Sequence, residues 1–324
     1  MSILTHSEDD LCLNLLITPK CNAGCPFCIA DEYMSQKSCG AIEEKEVEFI
    51  LERLGKEKVN QVNILGGEPS LHPQAMEISK RFYGTGNPVG FSTNGLWNER
   101  FRKSFESSDI PLDIEVTYLG RDAYSGEKQD ALNKTFKHLE GHSVSLGIII
   151  DSPQKDYLEH IDLAKKHGFE IRWALLEPTA KLGLTQGYQE IAYLKSQGEL
   201  ASKMVEEANS EGIETWADLS VPRCAIPDDY LGLFEKEEND IQFRCPPFYD
   251  IAPNLDIWRC LPLASKKTPN LRDYVSFRAA YGYLNKIREA YSQIGVYGGC
   301  KSCEYLGKSC EGGPTIAKVL KHEI

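Results

Sequence analysis

The 324-residue chain has no apolar stretch approaching the roughly 20 residues that cross a bilayer, so nothing in it reads as a membrane-spanning helix. Its first residues, Met1 to Asp10, are polar and acidic. They lack the basic and then apolar run of a secretory signal, and the expected location is the cytoplasm. Basic charge is also short: 36 Lys and Arg stand against 48 Asp and Glu, a net charge of -12. Such a surface opposes a phosphate backbone, so no nucleic-acid partner is expected. Internal repeats and low-complexity segments are lacking too, which leaves the alternation of elements as the guide to the fold.

Cysteine is what the chain has in quantity, 11 in all. In a reducing compartment they are better explained as metal ligands than as disulfides. Three fall in Cys21-Asn22-Ala23-Gly24-Cys25-Pro26-Phe27-Cys28, straight after the apolar run 11–17. Four thiolates close a tetrahedral zinc site or saturate a four-iron cluster, whereas three hold a [4Fe-4S] cluster and leave one iron open. Gly66-Gly67-Glu68-Pro69 follows a second apolar run: two glycines let backbone approach a ligand closely, and Glu68 is an acceptor suited to an ammonium group. Ser92-Thr93-Asn94-Gly95 ends a third run.

Taken singly, a C-x2-C piece is most often a zinc site and Gly-Gly-Glu-Pro an ordinary turn. Together and in this order they resemble the radical SAM superfamily. The resemblance implies a cluster on Cys21, Cys25 and Cys28, with the amino and carboxylate groups of S-adenosylmethionine on the open iron. It implies Phe27 beside the adenine, Gly66, Gly67, Glu68 and Pro69 at the methionine amino group, and Ser92, Thr93 and Asn94 at the ribose. Glu115-Val116-Thr117-Tyr118-Leu119-Gly120 resembles the SLDG stretch of peptide-modifying members, with Thr117 at the ligand-contacting serine and Leu119 replacing the aspartate. Glu177, at the end of the sixth run, is a further candidate contact to cofactor or substrate. Polar residues at strand ends are equally ordinary caps and turn formers.

Strand-like runs at 11–17, 59–65, 88–92, 112–118, 144–150 and 169–176 alternate with helical stretches at 41–54, 71–83, 96–107, 121–140 and 154–167. This is an α/β pattern of parallel strands with right-handed crossovers. It matches the partial (β/α)6, TIM-like barrel of the radical SAM family, with the motifs on loops at the C-terminal strand ends. A further helix is expected at 186–209. The barrel is expected over 1–218, and 219–324 as a small cysteine-rich domain with a β-hairpin and a helix at 272–291. Its cysteines, Cys224, Cys245, Cys260, Cys300, Cys303 and Cys310, resemble the SPASM and twitch extensions that carry auxiliary [4Fe-4S] clusters. The favoured set is one cluster on Cys245, Cys260, Cys300 and Cys303, with Cys310 able to displace one of them. The rival is two clusters of three thiolates, Cys224 joining Cys245 and Cys260. A structural zinc at Cys300 and Cys303 is the plainer alternative.

The resemblance implies reductive cleavage of S-adenosylmethionine by an electron from a flavodoxin- or ferredoxin-type reductant, then hydrogen abstraction by a 5′-deoxyadenosyl radical. An auxiliary cluster favours oxidation, a cross-link or a dehydrogenation, and the resemblance implies a ribosomally made peptide as substrate, since this domain pairing often serves one. The alternative is dehydrogenation or epimerisation of a small metabolite, such as an aminoglycoside or nucleoside intermediate. Epimerisation needs a thiol hydrogen donor, for which Cys39 and Cys224 are candidates. The first strand begins by Leu11, so a leader-peptide-binding module is expected as a separate protein. A non-catalytic iron-sulfur protein is the third class, one that leaves Glu68 and the open iron without purpose.

Overall fold

The computed structural model describes residues 11–34, 40–179, 182–217, 221–234, 243–263 and 269–322. In chain order come β1 (Cys12–Leu16), α1 (Asp31–Met34), α2 (Glu44–Leu54), β2 (Gln61–Leu65), α3 (Ala75–Tyr83), β3 (Val89–Thr93), α4 (Glu99–Glu106), β4 (Asp113–Thr117), α5 (Gly126–Leu139) and β5 (Ser143–Ile150). Then follow α6 (Leu158–His167), β6 (Glu170–Leu175), α7 (Gln186–Gln189), α8 (Ile191–Ser210), β7 (Thr215–Ala217), α9 (Leu231–Phe234), β8 (Phe248–Ile251), β9 (Ile257–Trp258), α10 (Phe277–Tyr291) and α11 (Thr315–His322). All six strands expected from the apolar runs are present. The single helix expected over 186–209 is instead two, α7 and α8, separated at Glu190, whose backbone is extended at φ -126° and ψ 111°.

The chain forms two compact units that interleave in sequence. Among the described residues the first draws on 11–145 and on Pro247–Leu284. Its strands run in the order β4-β3-β2-β1-β8-β9, parallel from β4 to β8, with β9 antiparallel to β8. The expected hairpin is therefore β8 and β9. Periodicity alone did not show that β8 also adds, parallel and in register, to the free edge of β1. The second unit holds Leu146–Pro246 and Asn285–Ile324, where β6 and β7 pair in parallel.

Local chemistry explains these elements. In α2, Val47, Ile50 and Leu54 form the buried stripe. Gly168 stops α6 in the left-handed region at φ +72°, and the N–H of Phe169 closes on Ala164 O at 2.9 Å. The first N–H groups of α10, those of Phe277 and Arg278, are met by the Glu57 carboxylate at 2.7 and 3.0 Å. One sheet face carries a polar row: Asn63 Nδ2 donates to Asn14 Oδ1 at 2.9 Å, and Asn14 Nδ2 to Asp250 Oδ1 at 2.9 Å. Gly90 leaves room for it, since a Cβ there would stand 2.3 Å from Asn63 Oδ1. Such a row costs little only while each polar group is paired.

Asp250 is wholly buried, and burial pushes its carboxyl up to about 7, against the Asn14 and Leu261 hydrogen bonds and the Arg259 charge. Folded protein thus holds a proton that the open chain, with its Asp near 3.8, has released. The stability so contributed is complete below the open-chain value and is lost as pH rises through about 7. Asp250→Asn removes this dependence. Thermal unfolding of both proteins from weakly acid to neutral pH should show the variant gaining on the wild type by at most about 1.4 kcal/mol per pH unit. Parallel curves would contradict the assignment.

Candidate functional site

The cysteine loop leaves the end of β1 and is seated by backbone. The N–H of Gly67 donates to Thr18 O and that of Glu68 to Lys20 O, each at 2.7 Å. A Cβ on Gly66 would stand 2.5 Å from Thr18 O, and one on Gly67 2.4 Å from Lys20 O. Both glycines therefore serve a close approach between the end of β2 and the chain's own cysteine loop. Glu68 is wholly buried. Its Oε1 accepts from Ser70 N at 3.1 Å and Thr93 Oγ1 at 2.7 Å, and its Oε2 from Asn94 N at 2.7 Å. Burial raises its pKa, and these donors work against the rise. In this conformation the carboxylate faces inward and ties the end of β2 to the end of β3.

Thr93 and Asn94 are equally committed. The Thr93 hydroxyl also accepts from Trp97 Nε1 at 2.9 Å and Gly95 N at 3.1 Å. Asn94 Oδ1 accepts from Leu96 N at 2.8 Å, while its Nδ2 reaches Asn22 Oδ1 at 2.9 Å and Cys21 Sγ at 3.7 Å. Asn22 Nδ2 answers with a bond to Leu96 O at 3.0 Å. Ser92 Oγ donates to Glu115 Oε2 at 2.6 Å.

The sulfur atoms are surrounded by donors. Cys21 Sγ also receives Ala23 N at 3.5 Å, and the N–H groups of Ala30 and Asp31 act on Cys28. Cys28 packs against a cluster of Leu16, Ala30, Tyr33, Ala252, Trp258 and Leu261. Lys128, on α5, donates Nζ to Asn22 O at 3.0 Å and Ala23 O at 3.4 Å. The Cys25 thiol is pushed up to about 11 by burial, then by the charges of Cys28 and Cys21, against the pull of Lys128. Burial raises the Cys28 thiol as well, and a cationic centre is what would displace the protons of Cys25 and Cys28. Among the described residues no three His, Cys, Asp or Glu are gathered about one point to hold a single ion. A four-iron cluster takes each thiolate on a different iron, so three spread thiols with N–H donors fit it.

The other expected residues are distributed as follows. Phe27, Pro69 and Thr117 lie in the first unit, Pro69 buried and the other two half-buried. Cys260 is half-buried in the first unit. Glu177, Cys224, Cys245, Cys300, Cys303 and Cys310 belong to the second unit. There Glu177 acts on the buried Tyr188, and Cys224 lies within electrostatic reach of Cys300 and Cys310. Cys310 is buried and Cys303 exposed. Cys39 lies outside the described residues. Sequence reasoning missed Asn22 and Lys128. A lysine in the first turn of a helix sits badly with the helix dipole, and that misplacement was the available signal.

A family model described as the radical SAM superfamily matches residues 15–195, more than half of the chain. The chain belongs to the radical SAM superfamily. It is an enzyme of that family, whose cofactors are a [4Fe-4S] cluster and S-adenosylmethionine. It is 26% identical over 217 residues to the mycofactocin maturase MftC of Mycobacterium tuberculosis, covering 58% of this chain and 53% of that one. It is 25% identical over 179 residues to GTP 3′,8-cyclase of Lactiplantibacillus plantarum, covering 51% and 54%. The chain thus spans about half the length of the curated relatives it matches. The crystal structure of Streptococcus suis SuiB bound to S-adenosylmethionine aligns with a TM-score of 0.72 at 16% identity, over 97% of this chain and 75% of that one. SuiB bound to its precursor peptide SuiA aligns at 0.69 and 16%, over 98% and 74%. At such identities the likeness shows the radical SAM α/β fold with its parallel-strand sheet.

If the glycines serve backbone packing, Gly67→Ala should unseat the cluster loop, costing roughly 1–3 kcal/mol as overpacking does. Iron retained after anaerobic reconstitution should drop, with Gly40→Ala, which meets nothing within 4 Å, as the control. Equal iron and equal melting temperatures would contradict the packing role.

Proposed function

We propose that this enzyme modifies a ribosomally made peptide, most simply by oxidation to a cross-link or a dehydrogenated residue. The cysteine loop carries the cofactor half of this reading, since three thiolates would leave a four-iron cluster one position short. With its cofactors bound, the family's chemistry is reductive cleavage of S-adenosylmethionine and abstraction of a substrate hydrogen atom. The chain's part is to hold the loop: Gly66 and Gly67 by close approach, Glu68 and Asn94 by hydrogen bonds, and Lys128 by its charge. Phe27, Pro69, Ser92 and Thr117, around the same strand ends, are the proposed cofactor contacts, with Glu177 as a further one. The peptide is supported by two similar proteins, the mycofactocin maturase MftC and SuiB, whose crystal structure holds the precursor peptide SuiA.

The region 219–324 is proposed as the SPASM/twitch-like auxiliary part, holding one [4Fe-4S] cluster drawn from Cys245, Cys260, Cys300 and Cys303. The burial of Cys310 and the exposure of Cys303 favour Cys310 as the thiolate that replaces Cys303. A flavodoxin- or ferredoxin-type reductant, a separate leader-binding protein and a cytoplasmic setting complete the proposal. Among the described residues no helix is long and apolar enough to cross a membrane.

A second reading, epimerisation, is favoured by one observation. Cys224 is exposed although Val221, Ala225 and Ile226 around it are buried. Its turn rests on Gly198 of α8, where a Cβ would meet Ala225 O at 1.9 Å. A rigidly displayed thiol suits a hydrogen-atom donor.

The test uses wild type and a Cys21/Cys25/Cys28→Ala triple variant, reconstituted anaerobically with dithionite, S-adenosylmethionine and synthetic peptides translated from short reading frames beside the gene. Wild type should form 5′-deoxyadenosine and a peptide lighter by two hydrogens, and the triple variant neither. A peptide of unchanged mass that gains one deuterium in D2O, and loses that gain in Cys224→Ala, would replace oxidation by epimerisation. No peptide product, with turnover on a nucleoside or aminoglycoside, would sink the peptide reading.

A further inference from the structure

The second unit contains a buried charge network that the loop chemistry leaves unused. Lys318 of α11 is fully buried, and its Nζ donates to Tyr291 O at 3.0 Å. Arg288 of α10 and Glu311 are buried beside it, with Arg288 Nε donating to Glu311 Oε1 at 2.7 Å and Arg288 Nη2 to the same oxygen. Glu311 Oε2 accepts from the N–H of Cys245 at 3.2 Å. The hydroxyl of Thr315, in the first turn of α11, lies 3.6 Å from Cys245 Sγ. The N–H of Gly312 donates to Cys310 Sγ at 3.2 Å. Burial pulls the Lys318 pKa down, and Cys245, Glu311 and Cys310 act against that fall while Arg288 adds to it.

Arg288 is bonded to Glu311, and Cys245 and Cys310 are the two cysteines that act on Lys318. A buried lysine is costly to keep and needs an anionic counterpart. Glu311 is occupied by Arg288, so the negative charge that a cluster held on Cys245 and Cys310 would bring is the counterpart the arrangement suits. The positive end of α11 and the N–H donor from Gly312 act in the same direction. Net charge, hydrogen bonds to sulfur and burial are the means by which a protein sets the potential of an iron-sulfur cluster.

We propose that Lys318, held beside the Arg288–Glu311 pair, raises the reduction potential of the auxiliary cluster bound through Cys245 and Cys310, suiting it to accept an electron. The proposal rests on the auxiliary-cluster reading above and assigns Lys318 a positioning role through charge. It involves no contact with substrate.

The experiment is a redox titration followed by electron paramagnetic resonance on the full-length Cys21/Cys25/Cys28→Ala protein, whose only remaining iron is auxiliary. Lys318→Met should shift the midpoint to lower potential at unchanged iron content, and Lys318→Arg should keep it at the parent value. Glu311→Gln, which removes a negative charge, should shift it the other way. Opposite signs are a readout that loss of packing does not produce. An unchanged midpoint in Lys318→Met, or equal shifts in Lys318→Met and Lys318→Arg, would overturn the proposal. If Lys318→Met fails to load iron, the Glu311→Gln shift decides alone, a fall or no change overturning the idea. A parent protein without iron would remove the auxiliary cluster, and this proposal with it, a failure told apart by the iron count.

Discussion

Three thiolates on one short loop repel one another, and much of the first unit is arranged around that repulsion. Burial of Cys25 makes it worse, because removing water disfavours each negative sulfur. The opposing groups come from four directions: Lys128 from α5, Asn94 from the end of β3, and the N–H groups of Ala30 and Asp31 from the start of α1 supplement the loop's own Ala23. None neutralises three charges. A cluster whose irons carry the compensating charge does, so the loop is an energetic site only when loaded.

That demand reaches into the fold through Glu68. A fully buried carboxylate without donors would cost several kcal/mol, and here three donors from two segments answer it. The ends of β2 and β3 are thereby locked together, and the backbone of Gly67 and Glu68 locks the cysteine loop onto them. Groups that read in sequence as ligand contacts are, in this conformation, also bonded to one another. Preorganisation of this kind moves the cost of ordering the loop from binding to folding.

The sequence was informative wherever chemistry is local. Cys21, Cys25 and Cys28, the Gly-Gly-Glu-Pro turn and six apolar runs were legible because each is a contiguous signal. The strand pairing of β8 with β1 was not, since a four-residue run carries no mark of its partner. Nor was the inward turn of Glu68, which depends on donors 25 and 26 positions away. Lys128 bonds the loop from 106 positions further on. Lys318 read only as one more lysine near the C-terminus, because nothing in a linear sequence shows that its ammonium is buried. Long-range polar contacts leave no periodicity to follow.

The most direct test of the account is electron-nuclear double resonance on the singly reduced wild-type protein with S-adenosylmethionine labelled by 15N at the amino group and 17O at the carboxylate. If Cys21, Cys25 and Cys28 leave one iron open, both labels should couple to the cluster. Absence of either coupling, with a spectrum that S-adenosylmethionine does not change, would mean that the three-thiolate loop offers no open iron and that the central claim is wrong.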